Sequence, residues 1–342
     1  MTISLSEFLA QLAANPVLAV TVALTLGVVL VNGWTDAPNA IATCVSTRAM
    51  SARSAILMAA VFNFLGVLVM TMVNASVAAT IYNMVDFGGN TADALTALCA
   101  ALVAIVAWAT AAWWFGIPTS ESHALIAGTM GAAYALNQGA GIHLGGLMRV
   151  LAGLVLSLVL GYLLGWGVQR LFLPWEKHLG DRFYVRGEVG SAALMAFCHG
   201  AQDGQKFAAV FLIADWIARG LPSGRVELAG NWQVVALTAL VMALGTYTGG
   251  GRIIRKVGEK MVRLDHKSAL YSDLAGSISL LLTTLWGLPV STTHTKTAAV
   301  LGVGGKTADR RVFGQMVFAW LLTFPACGAL GYFCTLWFLS LL

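Results

Sequence analysis

The stretch CHGAQDGQKFAAV, residues 198–210, places His199, Asp203 and Lys206 inside sequence that otherwise reads as membrane-buried, from Val189 to Ala214. On membrane-insertion scales a charge at the middle of a spanning helix costs about 2.5–3.5 kcal/mol, so two of them need a reason. A second stretch supplies it. VNGWTDAPNAIAT, residues 31–43, has the same skeleton: Asn32-Gly33-x-x-Asp36 matches His199-Gly200-x-x-Asp203. Further along, FGIPTSESHALIAGTMG (115–131) matches WGLPVSTTHTKTAAVLG (286–302), pairing Gly116 with Gly287, Pro118 with Pro289, Ser120 with Ser291, Ser122 with Thr293 and His123 with His294. The Asp-to-His interval is 87 residues in the first half and 91 in the second. Matched signals in one order at one spacing indicate a duplicated chain.

Composition sets the class. Of 342 residues, 58% are hydrophobic and 10% charged, and the mean hydropathy is +0.79. Long apolar stretches recur at Phe8–Thr35, Ser54–Val85, Ala94–Ser120, Val150–Trp175, Leu228–Gly251, Leu274–Thr295 and Val312–Leu342. Each exceeds the roughly 20 residues needed to cross the hydrocarbon core. A soluble core of this size would alternate apolar and polar faces, and these runs do not. The expected fold is an all-α polytopic membrane protein. The N-terminus lacks a basic n-region, so no cleavable signal peptide is expected. Cys44, Cys99, Cys198, Cys327 and Cys334 lack metal-ligand spacing and read as small buried hydrophobes. The net charge of +5 reflects basic loops on the cytoplasmic side, and no nucleic-acid partner is expected.

Loop charge orients the two copies. Arg48 and Arg53 place the first link on the cytoplasmic side, and the next link, around Asp86 and Asp93, has no Lys or Arg. Its counterpart, Arg252 to Lys267, carries six basic residues and two acids. Equivalent loops of opposite character predict inverted-topology repeats, common in secondary transporters. The division is a first repeat at 1–172, a cytoplasmic linker at 173–188 and a second repeat at 189–342, with both termini outside the cell membrane.

Gly33 and Pro38 favour an unwound or kinked turn. Freed carbonyls, with Asn32, Asp36 and Asn39, would offer oxygen ligands to a monovalent cation such as Na+, or a proton site. The plainer reading makes Asn32 or Asp36 a helix cap at the interface. In GIPTSESH and GLPVSTTH a Gly-x-Pro turn precedes hydroxyl residues suited to N-capping. Helix N-termini present free N–H groups that attract anions. The following stretches, Ala124–Leu136 and Ala298–Val303, are short for crossings, so each repeat is expected to hold a broken helix and a re-entrant hairpin whose tip nears the midplane. Two such tips could cradle a tetrahedral oxyanion. The plainer reading makes them capping turns. Asp203 and Lys206, three residues apart, share a helix face, either as a neutralised strut or as half of a coupling site. His123 and His294 are candidate ligands or packing residues, and Gln205 is a further candidate in the same motif. Adjacent Ser122 and His123 point about 100° apart on a helix and make no nucleophile–base pair, so an enzyme is not expected.

At these motifs the sequence resembles the inorganic phosphate transporter (PiT) family: NGWTDAPNAIATCVSTRAM and FCHGAQDGQK look like its paired signatures, GIPTSESHALIAG and GLPVSTTHTKTAAVLG like its hairpins. The resemblance implies a secondary active transporter of inorganic phosphate, alone or as a metal–phosphate complex, driven by sodium or protons and often dimeric. It places cation-site residues on Asn32, Asp36, Asn39 and Asp203. Phosphate contacts fall on Thr119, Ser120, Ser122, Ser291, Thr292 and Thr293. The chain departs from the pattern at two positions. Glu121 stands where the second hairpin has Thr292, and Lys206 stands where the first copy has Asn39. An ammonium offers no lone pair to a cation, and lysine here looks like the proton-coupled bacterial members. The expectation is therefore proton-coupled symport with no resident cofactor. The alternatives are a sodium-coupled phosphate or sulfate permease and, more remotely, an anion channel.

Overall fold

The computed structural model describes residues 5–88, 90–115, 119–220, 229–249, 264–304 and 310–341. Gly116 and Pro118 of the first hairpin, and the basic loop at 250–263, lie outside the described residues. Among the described residues thirteen α-helices follow in chain order: α1 Leu5–Ala14, α2 Pro16–Thr35, α3 Ala37–Ser46, α4 Ala52–Val73, α5 Ser76–Tyr82, α6 Thr91–Phe115, α7 Glu121–Asn137, α8 Leu144–Phe172, α9 Asp181–Ala218, α10 Trp232–Gly249, α11 His266–Leu285, α12 Thr292–Gly304 and α13 Arg310–Leu339. Among the described residues, the extended pairing is limited to one bridge, between Val85 and Ile142.

Local sequence sets the helix ends. Asn15 accepts from the Leu18 N–H at 3.1 Å with Pro16 opening α2, Ser51 caps α4, and Asp265 accepts from the Ser268 N–H at 2.8 Å to start α11. Gln138, at φ 50°, ends α7 in the left-handed conformation. Between α11 and α12 the chain turns at Gly287, φ 67°, where an added Cβ would lie 2.6 Å from the Ser76 side chain.

The membrane class is plain. The stretch Pro16–Ser46, α4, α6, Leu144–Trp175, α10 and Met316–Leu339 are each long and apolar enough to cross a bilayer. Leu57, Val61, Leu65 and Val69 form an exposed apolar stripe at helical spacing along α4, as a lipid-facing surface requires. By contrast, α12 is about 20 Å long, short of the roughly 30 Å hydrocarbon core. Four cysteines are buried, Cys334 is half-buried, and all five are free thiols.

The expectation of a broken helix in each copy changes. The first copy has its break: α2 ends at Thr35 and α3 starts at Ala37, with Pro38 removing a donor just beyond Asp36. The second copy has none. Helix α9 runs unbroken for 38 residues through Asp203, because Gln205 stands where the first copy has Pro38 and keeps its N–H. Residues 181–188 form the first two turns of α9.

The copies interlock. Helix α7 packs on α13 and α12 on α8, so each short hairpin helix lies against the last long helix of the other copy. Backbones touch at glycine. A Cβ on Gly131 would sit 2.1 Å from the Gly328 carbonyl oxygen, and one on Gly302 would sit 2.2 Å from that of Tyr162. Small residues give close approach where lipid removes the hydrophobic drive between helices. This packing brings the N-termini of α7 and α12 together.

Candidate functional site

The two hairpin helices start with the same device. The Ser120 hydroxyl accepts from the His123 N–H at 3.4 Å, and the Ser291 hydroxyl accepts from the His294 N–H at 3.2 Å. Remaining first-turn N–H groups of such helices have no intrahelical partner. The His123 and His294 rings meet edge to face at 4.4 Å, and they pack on Phe324 and Trp320 of α13. These histidines join the tips and fill space between them. Ser122 donates to the Val290 carbonyl at 3.3 Å, a second tie between the hairpins.

Two carboxylates flank the tips at pseudo-equivalent positions, both buried. Asp36 accepts from Thr293 at 2.9 Å and faces the Asn39 amide at 3.4 Å. Asn39 also donates to the Thr293 hydroxyl at 3.2 Å. Asp203 accepts from Asn32 at 3.1 Å and from Thr292 at 3.5 Å, and has His199 at 3.4 Å. The copies differ at the cation. Lys206 sits with its ammonium 2.6 Å from Asp203, 2.6 Å from the Ser122 hydroxyl and 2.5 Å from the Val290 carbonyl. An ammonium has three donors, and all three are used. Lys206 therefore ties α9 to both hairpins while neutralising Asp203.

Glu121 is a third buried carboxylate. Thr35 donates to one of its oxygens, and Oε2 has no hydrogen-bond partner among the described residues. The Asn32 side-chain oxygen Oδ1 is likewise unpartnered among the described residues. Two idle acceptors near Asp36 are what a proton or small cation would use.

Asn32, Ser122, Lys206 and Thr292 thus gather around Asp203; Asp36, Asn39 and Thr293 bond to one another; and Glu121 bonds to Thr35, next in sequence to Asp36, with Ser120 and Ser291 capping α7 and α12. Thr119 is half-buried beside it. Gln205 is elsewhere. Its amide donates to the Asn74 carbonyl at 2.7 Å and accepts from the Val77 N–H at 3.2 Å, bracing the turn between α4 and α5. Sequence reasoning missed Thr35 and His199 as site partners. The role of Thr35 depends on which helices meet, which no local pattern discloses, whereas His199 lies one turn before Asp203 on α9, a spacing the sequence already carries.

The sequence profile of the phosphate transporter family matches the chain twice, over residues 32–178 and 175–331. The chain belongs to the phosphate transporter family. A probable low-affinity inorganic phosphate transporter of Bacillus subtilis (strain 168) is 34% identical over 312 residues, 88% of this chain and 91% of that one. Its counterpart in Rhizobium meliloti (strain 1021) is 34% identical over 332 residues, 94% of this chain and 96% of that one. A solved structure described as the sodium-dependent phosphate transporter superposes with a TM-score of 0.88 at 22% identity, covering 96% of this chain and 100% of the other, and shows the shared fold. The two profile matches split this phosphate transporter where the quoted motifs repeat. It is a multi-pass membrane transporter and not an enzyme.

Proposed function

We propose that the transporter carries inorganic phosphate across the cell membrane in symport with protons, through two inverted repeats and with both termini outside. The observation that carries the coupling ion is the Lys206 ammonium, 2.6 Å from Asp203 where a cation would otherwise sit. It leaves Asp36 and Glu121 as the carboxylates able to take up and release a proton. The anion is held by the hydroxyls of Ser120, Ser122, Ser291, Thr292 and Thr293 and by the N-termini of α7 and α12. Thr119 stands beside them, and His123 and His294 hold the tips together.

The same site favours phosphate over sulfate. Hydrogen phosphate keeps an O–H that can donate to Asp36 or Glu121. Sulfate at neutral pH has no proton to give and leaves those acceptors facing an anion. Arsenate should therefore compete with labelled phosphate in proteoliposomes and sulfate should not. Sulfate accumulation unaffected by excess phosphate would refute the assignment. A sodium gradient and a pH gradient, applied one at a time, test the coupling. Accumulation driven by sodium alone, with no response to the pH gradient, would establish the sodium-coupled reading instead.

Ala at Ser120, Ser122, Ser291 or Thr293 is expected to weaken phosphate binding by about fivefold each, since one neutral hydrogen bond or cap is worth about 1 kcal/mol. Equilibrium binding to purified variants checks this. Unchanged affinity in all four would place the anion elsewhere.

A further inference from the structure

Beyond the site, α3 continues as a polar stripe. Asp36, Asn39, Thr43 and Thr47, three or four residues apart, share one helix face. Each has a partner across it. Asp36 and Asn39 meet Thr293. Thr43 donates to both carboxylate oxygens of Asp273, at 3.0 and 3.2 Å, and accepts from the Lys296 ammonium at 3.3 Å. Thr47 donates to Glu188 at 2.6 Å, and the other Glu188 oxygen lies 2.6 Å from His266 Nδ1. The side chain of His266 is 36% exposed, so the stripe leads from the site to the surface that also carries Arg48. Midway along it Asp273 and Lys296 form a buried ion pair.

The other copy has nothing of the kind. The hairpin register places Leu102 at the position of Asp273 and Leu125 at that of Lys296, and the Asp36–Asp203 register places Val210 at that of Thr43. All three are buried in one apolar cluster. The fold thus tolerates apolar side chains at these positions, and a buried ion pair is often no more stable than the apolar residues that could replace it. Stability does not account for Asp273 and Lys296. An ion pair differs from an apolar plug in how it opens: each separated charge regains hydration, whereas a parted leucine pair gains nothing from water. Lys296 also lies one turn beyond Thr293 on α12, so an anion leaving the helix tip in that direction meets an ammonium first.

We propose that Thr43, Asp273 and Lys296 form a charged gate between the oxyanion site and the Arg48 face. It is closed in this structure by the ion pair, and it opens when Lys296 exchanges Asp273 for the passing oxyanion. This deepens the phosphate-transport reading and rests on it. The opposite side, sealed by Leu102, Leu125 and Val210, opens by separation of apolar packing.

The test is the full-length Asp273→Leu/Lys296→Leu variant, which copies the leucines of the first repeat and leaves no charge unpaired. Binding of labelled phosphate to purified protein should stay within about threefold of wild type. Phosphate flux in proteoliposomes, exchange included, should fall at least tenfold. Flux within twofold of wild type overturns the gate. Binding lost in parallel with flux also overturns it, by making the pair part of the binding site. If the double variant does not fold, Lys296→Arg and Lys296→Met decide. Arg keeps the pair and should keep at least a third of the flux. Met should lose most of it at retained affinity, and equal flux in the two would refute the proposal. A wild type that moves another oxyanion and no phosphate refutes the phosphate reading alone. The variant-to-wild-type flux ratio, measured with that anion, then decides the gate.

Discussion

Asp36→Asn should abolish gradient-driven accumulation of phosphate while leaving exchange of internal for external phosphate. The substitution nearly preserves shape. An amide oxygen at this position can still accept from Thr293, whose hydroxyl lies 2.9 Å from the carboxylate, so the hairpin contact and the fold should survive. Only the ability to bind and release a cation or proton is lost. Coupling requires such a group. A gradient of one pH unit is worth about 1.36 kcal/mol per proton, a tenfold concentration ratio at most for one proton carried. A carrier that binds none can only equilibrate its substrate. Exchange remains, because a loaded carrier that returns loaded never needs the empty return step in which the proton is discharged. The expected result in proteoliposomes under a pH gradient is an internal-to-external phosphate ratio above one for wild type and of one for the variant. The variant's exchange should run at no less than about a third of the wild-type rate. A variant that still concentrates phosphate as wild type does would remove Asp36 from the coupling machinery and leave Glu121 as the proton group.

The sequence disclosed the site unevenly, and the reason is physical. Asp36, Asp203 and Lys206 stood out because each interrupts an apolar run, and burial of an ionised group needs an explanation wherever it occurs. The paired hairpins were legible because Ser120 and Ser291 perform a local task, a helix cap, and Gly287 another, a left-handed turn, that only a few residue types perform. Asp273 and Lys296 were hidden by the same logic. They bound the apolar stretch Leu274–Thr295, and a charge at the end of such a stretch reads as the end of a membrane segment. In the structure both lie inside helices and are buried, because α11 and α12 fold back so that the two boundaries meet. Glu188 was hidden likewise: it stands just before the apolar run that begins at Val189, and in the structure it is buried within α9 and held by Thr47 and His266. Gln205 was misplaced for the opposite reason. It neighbours Lys206 in sequence, but on a helix adjacent residues point about 100° apart, so one faces the hairpins and the other the α4–α5 turn.

The asymmetry between the copies bears on the coupling ion through Lys206, and Lys206→Asn is expected to convert the transporter to sodium-stimulated uptake. In the wild type the ammonium donates to Asp203, Ser122 and the Val290 carbonyl, at 2.5 to 2.6 Å in each case. A sodium ion drawn to Asp203 would sit beside this fixed charge. At about 4 Å and an effective dielectric constant near 20, the repulsion is about 4 kcal/mol, close to three powers of ten in affinity. Asn removes the repulsion and restores the residue type found at Asn39 in the first copy. Asp203, still contacted by the Asn32 amide at 3.1 Å, is then left without its ammonium and gains stability from a cation in its place. Loss of the ammonium also frees the Ser122 hydroxyl and the Val290 carbonyl, so phosphate affinity without sodium should fall together with the proton-driven rate. The expected result is phosphate uptake that rises at least tenfold when an inward sodium gradient replaces potassium, against no more than twofold in wild type. The response of the variant to a pH gradient should be weaker than that of wild type. If wild type already accumulates phosphate on a sodium gradient alone, and the substitution leaves that response unchanged, then Lys206 does not exclude sodium. In that case the ion pair with Asp203 is a neutralised strut, and the coupling cation binds on the Asp36 side by itself.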